Sequence, residues 1–426
     1  MKVLVVGSGG REHGLSWKIA QSPLVDGVFC APGNGGIAED AICVDIPAED
    51  IGSLLKFVKD NAIELTVVGP EAPLVAGIVD AFRAESLAIF GPDKRGAQLE
   101  GSKSFAKEVM QKASIPTAAC GVFTDADKAR AYVREACFPT VVKADGLAAG
   151  KGVIVTSCAD EACSAIDEIL VEKAFGSAGA SIVVEERLVG EEASFIAICD
   201  GEHIVPLASS QDHKPAYDGD LGPNTGGMGA YSPAPVLDEN AYGRVLDTIL
   251  YPLVRVLRER GITYKGVLYA GLMMTQTGPY VLEFNARMGD PETQPLLMRL
   301  KSDIVPVLYE TAKGGSIRNM ELAWEDGPSV CVVMASGGYP GPYEKGKVIS
   351  GLGDAGKIDG VKVFHAGTRI RDNQVVTSGG RVLGVTAVGG DLKAAIDKAY
   401  RAVSLISFDG AHYRKDIGHK GLRRFT

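Results

Sequence analysis

Short apolar runs alternate with longer amphipathic stretches at the start of the chain. Residues 3–6, 66–68 and 88–90 read as buried strands, and 49–60 and 73–84 as helices between them. That order predicts a parallel βαβ sheet. The strands run into Gly or Pro at Gly7, Gly69-Pro70 and Gly91-Pro92, so loops gather at the carboxyl edge, where open α/β sheets bind ligands.

Beyond residue 101 the pattern changes. A helix at 102–113, strands at 140–143 and 152–156, a helix at 160–171 and a strand at 182–185 predict a small α+β unit. Longer strands at 193–199, 267–275 and 280–285, with a helix near 239–260, predict a second. Between them, residues 211–235 are rich in Gly, Pro and Asp and are expected to form a long irregular loop. Strands at 329–335, 361–364 and 382–388 and a helix at 392–405 predict a small separate C-terminal α/β domain. The expected units are 1–101, 102–190, 191–326 and 327–426, a multidomain α/β and α+β chain. A length of 426 residues with 46% hydrophobic content supports more than one core.

Charge and cysteine usage narrow the partners. A net charge of -9 without a Lys/Arg block argues against a nucleic acid or an anionic membrane and favours small molecules. The eight cysteines, Cys30, Cys43, Cys120, Cys137, Cys158, Cys163, Cys199 and Cys331, form no C-x-x-C pair and read as buried thiols of a reducing compartment. Without a signal-like or membrane-spanning apolar stretch, the cytoplasm is the expected location.

Several motifs carry chemistry. Gly7-Ser8-Gly9-Gly10-Arg11-Glu12-His13 follows a strand and opens a helix, a setting that favours an anion. Glu12 stands where G-x-G-x-x-G needs Gly, which disfavours a dinucleotide enzyme, and a plain turn is the alternative. Lys143-Ala144-Asp145-Gly146-Leu147-Ala148-Ala149-Gly150-Lys151-Gly152 puts a lysine near each end of a glycine loop, suited to triphosphate oxygens but not a Walker A sequence. A glycine hairpin is the bland reading. Glu185-Glu186-Arg187-Leu188 ends an apolar strand and could meet adenosine, or be a solvated acidic turn. In Glu283-Phe284-Asn285-Ala286-Arg287, strand alternation sends Glu283, Asn285 and Arg287 to one face, offering oxygen ligands for a metal and a guanidinium for an anion, or an exposed sheet face.

The order of these motifs resembles ATP-grasp enzymes, and along nearly its whole length the chain is similar to glycinamide ribonucleotide synthetases (phosphoribosylamine–glycine ligases). The specific segments are 211–214, 222–233 and Arg287-Met288-Gly289-Asp290-Pro291-Glu292-Thr293-Gln294. Met288 and Pro215 depart from the family's usual residues, and the strand before Glu283 lacks the metal carboxylate many ATP-grasp enzymes place there. The resemblance implies a central ATP-grasp fold of two α+β subdomains and the ATP-dependent ligation of glycine to 5-phosphoribosylamine through glycyl phosphate, with Mg²⁺ or Mn²⁺. It implies that Lys103, Lys143 and Lys151 contact ATP phosphates, that Glu185, Glu186, Leu188 and Glu192 hold adenosine, and that Glu283 and Asn285 bind the metal. Arg287 and Asp212 are the catalytic candidates. Gly7, Gly9, Gly10, Arg11, Lys214, Asp290, Pro291 and Glu292 are the candidates for the acceptor substrate, and a monomer or weak homodimer is expected. Another ATP-grasp ligase, or a non-catalytic nucleotide sensor, is the competing reading; the joint presence of Glu283, Asn285 and Arg287 favours catalysis.

Overall fold

The structure, a computed structural model, describes residues 1–136, 138–148 and 152–424. Lys151 and Cys137 lie outside the described residues. The N-terminal sheet is parallel throughout, in the order Ile42–Cys43, Gly27–Pro32, Lys2–Gly7, Leu65–Val68, Ile89–Phe90. Along the first strand Val3 and Val5 enter one hydrophobic cluster and Leu4 and Val6 another. Burial on both faces is why the strand reads as a continuous apolar run. The strand order reverses beside Lys2–Gly7, so Gly7 and Gly69 open a ligand crevice at a topological switch point. Gly27–Pro32 and Ile42–Cys43 went unread in the sequence. The helix expected at 73–84 is two, Glu71–Ala76 and Ile78–Ala84, broken at Gly77, whose φ of 99° is left-handed.

Two antiparallel sheets follow. The first orders Cys120–Phe123, Ile182–Glu186, Thr140–Ala144 and Val153–Val155, packed on helices Ala126–Glu135 and Ala159–Ile166. The second orders Ile204–Pro206, Glu191–Cys199, Gly266–Thr275 and Gly278–Asn285. One face of the second sheet, with Phe195 and Leu268, packs on helices Lys103–Lys112 and Tyr251–Glu259; the other, with Ile196 and Tyr269, shares a cluster with the N-terminal sheet. The Thr117 hydroxyl donates to the Val281 carbonyl at 2.7 Å, tying the entry of the first sheet to the last strand of the second.

The C-terminal sheet differs from expectation. It orders Gln211–Asp212, Gly229–Ser232, Ser329–Ala335, Arg381–Val388 and Val361–His365, so the segment expected as a long loop supplies two strands, on the far side of residue 326 from the other three. Helix Leu392–Val403 covers it. Arg299, 6% exposed, spans the join: its guanidinium donates to the carbonyls of Gly327 (3.0 Å) and Glu325 (2.9 Å) and to the Ser232 hydroxyl (2.8 Å). His13 accepts the His365 N–H at 2.7 Å and pairs with Asp40, which also holds Lys362 at 2.8 Å, joining the tail to the first helix. No helix among the described residues is long and apolar enough to cross a membrane. Arg299→Met keeps the bulk but orphans buried acceptors, and should lower unfolding stability by roughly 2–4 kcal/mol. A urea midpoint equal to the wild type's would refute that tie.

Candidate active site

The nucleotide side is built at the root of the glycine loop. Ser102 caps helix Lys103–Lys112, and the Asp145 carboxylate accepts the Ser104 N–H (2.7 Å) and the hydroxyls of Ser102 (3.2 Å), Ser104 (2.8 Å) and Ser181 (2.8 Å). Burial works against its charge, but these donors hold Asp145 below the usual carboxylate range. Lys103 donates to the Gly146 carbonyl at 3.2 Å. Burial lowers its pKa and the Lys143 ammonium adds to that, opposed by Glu283 and Asp145. Lys143 ends the neighbouring strand, ion-pairs with Glu185 and donates to the Leu282 carbonyl at 3.1 Å.

At the hinge between the sheets, Glu185 is sealed between lysines, so its carboxylate faces inward. The N–H groups of Glu186 and Arg187 go to the carbonyls of Ala119 (2.9 Å) and Pro139 (2.8 Å). Those of Leu188, Val189 and Gly190 have no protein acceptor among the described residues.

Glu283 and Asn285 lie on strand Gly278–Asn285, and Arg287 follows it. Burial raises the Glu283 pKa, but Lys214, Lys143, Lys103 and Arg287 together hold it below its ordinary value, so it is an anion ringed by cations. Arg287 Nη2 reaches Asn285 Oδ1 at 3.4 Å and Glu100 at 2.9 Å, and its Nε reaches Glu71 at 3.3 Å. Burial opposes its charge, yet Glu100 and Glu71 raise its pKa further. Gly271 stands opposite Glu283 across the strand pair, so the neighbouring strand brings no carboxylate beside it there. A carboxylate and an amide oxygen are hard donors that suit Mg²⁺ completed by nucleotide phosphates and water. The donor set therefore fits a metal that arrives with the nucleotide.

The residues expected at the acceptor gather next to Glu283. Asp212 sits on its short C-terminal-sheet strand with no protein hydrogen bond to its carboxylate among the described residues. Burial, with Glu292, Glu192 and Glu283 nearby, pushes its pKa up to about 7 against the pull of Lys214. Lys214 ion-pairs with Glu192 at 2.7 Å, so a residue expected at adenosine is joined to one expected at the acceptor. Glu292 accepts the Tyr269 (2.6 Å) and Ser194 (3.0 Å) hydroxyls.

The N-terminal turn docks against the same segment. Arg11 donates to the Met288 carbonyl at 3.1 Å and, through its backbone N–H, to Asp290 at 3.3 Å; Glu12 takes the Gly9 N–H at 2.5 Å. Part of the expected anion cradle is thus occupied by the chain's own carboxylates. A Cβ on Gly7, at φ +130°, would lie 2.5 Å from Glu12 Cγ, and one on Gly10 would meet Gln294 at 2.5 Å. The Pro291 ring likewise leaves no room at Gly227, where φ is +110°. Arg381 gathers the carbonyls of Asp290 (2.6 Å), Gly226 and Gly227 and the Asp290 carboxylate (3.6 Å).

The structure gathers Lys103, Lys143, Lys214 and Arg287 around Glu283, sets Glu192 and Glu292 with Lys214 beside Asp212, and docks Arg11 on Asp290, whereas Glu186 and Leu188 stay at the hinge. Sequence reasoning missed the residues that hold them: Glu71 and Glu100 on Arg287, Ser194 and Tyr269 on Glu292, Arg381 on Asp290, and Lys107 on Glu185. Only Lys107 left a local signal, one helical turn after Lys103.

Two antiparallel sheets closing on a lysine-lined loop define an ATP-grasp architecture. The biotin carboxylase of Campylobacter jejuni shares the fold at TM-score 0.74 and 16% identity, covering 98% of this chain and 94% of that one. Profiles of phosphoribosylglycinamide synthetase match its N domain at residues 1–100, its ATP-grasp (A) domain at 101–293 and its C domain at 329–420. The chain belongs to the phosphoribosylglycinamide synthetase family. It is 54% identical to the phosphoribosylamine–glycine ligase of Pseudomonas aeruginosa over 100% of this chain and 99% of that protein. The Rhizobium meliloti ligase is 52% identical over the full length of both. The solved phosphoribosylamine–glycine ligase of Thermotoga maritima superposes at TM-score 0.84 with 33% identity, covering 98% and 100% of the two chains.

Asp212 gives a stability prediction. Its folded pKa, about 7, lies above its ordinary 3.8, so its contribution is fully present below pH 3.8 and is lost as pH rises through 7. Asp212→Asn, neutral throughout, should melt above the wild type at pH 8, with the gap narrowing toward pH 4 in a thermal scan. An equal gap at both pH values would show that Asp212 is not strained by burial and repulsion.

Proposed function

We propose that the cleft activates the glycine carboxylate as glycyl phosphate and passes the glycyl group to the amine of 5-phosphoribosylamine. Family membership carries the overall reaction: the chain is an ATP-dependent C–N ligase that joins glycine to phosphoribosylamine and releases ADP and phosphate, a step of purine biosynthesis. The observation that carries the residue-level reading is the partly buried charge cluster in which Lys103, Lys143, Lys214 and Arg287 surround Glu283, with Glu192, Glu292 and Lys214 beside Asp212 and Asn285 against Arg287.

A carboxylate oxygen attacks the γ-phosphorus and the bond to ADP breaks; the amine nitrogen then attacks the acyl carbon and phosphate leaves. Phosphoryl transfer asks for positioning and charge stabilisation more than a protein nucleophile. Lys103 and Lys143, with Lys151, hold the phosphates; Leu188, Glu186 and Glu192 meet adenosine, with the Glu185 strand end as their support. Glu283 and Asn285 hold Mg²⁺ or Mn²⁺, which neutralises phosphate charge when bound. Arg287, braced by Glu100 and Glu71, faces the transferring group. Asp212, with its pKa near neutrality, takes the proton that the attacking amine loses. Gly7, Gly9, Gly10, Arg11, Asp290, Pro291 and Glu292 wall the phosphoribosylamine side. The described cysteines are free thiols, as a reducing cytoplasm would leave them, but Cys43 and Cys158 are exposed and Cys120 half-buried where the sequence suggested burial.

ADP release from MgATP should require both glycine and freshly generated 5-phosphoribosylamine, with the ligated product seen by mass. ADP release indifferent to phosphoribosylamine would overturn the acceptor. Glu283→Ala should cost on the order of 10²–10³ in turnover with the fold retained by circular dichroism. Near-wild-type turnover would remove Glu283 from the metal site.

A further inference from the structure

One buried carboxylate in the cleft serves two ammonium groups. Glu185 Oε2 lies 2.5 Å from Lys107 Nζ, its Oε1 contacts Lys143 Nζ, and side-chain exposure is 2% for Glu185, 4% for Lys107 and 6% for Lys143. Lys107 also donates to the Thr117 hydroxyl at 2.7 Å, which donates to the Val281 carbonyl at 2.7 Å. Lys143 donates to the next carbonyl, that of Leu282, at 3.1 Å. The three charges therefore brace helix Lys103–Lys112 and both sheets against the backbone just before Glu283.

The charge balance decides what Lys107 does. Lys143 with Glu185 alone is a neutral pair, and in a dry site the carboxylate's field would oppose incoming phosphates almost as strongly as the ammonium attracts them. With Lys107 the cluster carries a net single positive charge. Lys103, on the same helix face, points to the Gly146 carbonyl on the loop side and makes no ion pair with Glu185, so it does not balance that carboxylate directly.

We propose that Lys107 is a positioning residue for nucleotide binding: by balancing Glu185, it lets that carboxylate fix Lys143 in place while Lys143 keeps an uncompensated charge for the ATP phosphates. This deepens the ligase reading and rests on it. Lys107 itself stays behind Glu185 and touches no substrate.

The charge argument separates this role from a merely structural one through a double-mutant cycle. In the full chain, Lys107→Met should weaken MgATP binding by calorimetry, and raise its KM, by about tenfold or more, the scale for losing one charge from a polyanion site, with the KM for glycine unchanged. Adding Glu185→Gln leaves Lys143 alone with its charge, so the double variant should bind MgATP more tightly than Lys107→Met. A structural role gives the reverse, with each substitution adding its loss. Wild-type affinity in Lys107→Met, or a double variant no tighter than that single one, overturns the proposal. If Lys107→Met does not fold, Lys107→Gln, which keeps a donor for Thr117 without the charge, replaces it on the same criteria. Wild-type protein that fails to bind MgATP would instead remove the ligase reading, whereas an active wild type beside an unaffected Lys107 variant removes only this role.

Discussion

Opposite charges of one chain neutralise one another at close range throughout the cleft, and the relative placement of its sheets depends on this. Lys107 and Lys143 meet Glu185, Lys214 meets Glu192, Arg287 meets Glu100 and Glu71, Arg11 meets Glu12, and Arg381 meets Asp290. A buried charge left alone costs several kcal/mol, whereas a paired one is tolerable. Many of these pairs join elements far apart in sequence: Arg287 reaches back to the N-terminal unit, and Arg381 reaches from the C-terminal sheet to the segment after Asn285. The pairing is a set of distance constraints between units as much as a source of stability.

The same constraint prepares the chemistry. Lys103 and Lys143, the donors proposed for phosphate, are already fixed by a carbonyl and a carboxylate, which would leave little reorganisation when charge moves from ATP to the acyl group. Asp212 is the exception. Surrounded by Glu292, Glu192 and Glu283 and bound by no protein donor among the described residues, it is a carboxylate near neutrality with room to accept a proton.

Local periodicity made much of this legible. The apolar runs at 3–6, 140–143 and 329–335 correspond to strands Lys2–Gly7, Thr140–Ala144 and Ser329–Ala335, because burial on one or both faces imposes its pattern on the sequence. The Glu283, Asn285 and Arg287 spacing was readable for the same reason, and the contact between Arg287 and Asn285 persists just past the strand end. What stayed hidden depends on distant partners. Gly229–Ser232 is a short, glycine-led strand whose register, Ala230 opposite Cys331, is set by residues far along the chain. Glu71 and Glu100 lie outside the helices expected at 73–84 and 102–113 and carried no signal, because their partner Arg287 is distant in sequence.

That hidden pairing ties the catalytic candidates to the tail. Gln211–Asp212 pairs with Gly229–Ser232, which pairs with Ser329–Ala335, so the backbone of Asp212 is placed by the C-terminal sheet. The Arg414 guanidinium, 1% exposed, extends the hold: it donates to the Pro215 carbonyl at 3.1 Å, to Asp220 at 3.0 Å and to Asp416. His412 reaches the Ala216 carbonyl at 2.8 Å. The segment that carries Asp212 and Lys214 is thus bounded by tail residues on one side and by Glu192 of the second sheet on the other. A tail that merely covered the enzyme would not need a buried arginine aimed at this hairpin. The segment proposed for the acceptor is held where the second ATP-grasp sheet and the C-terminal sheet meet, by residues of both.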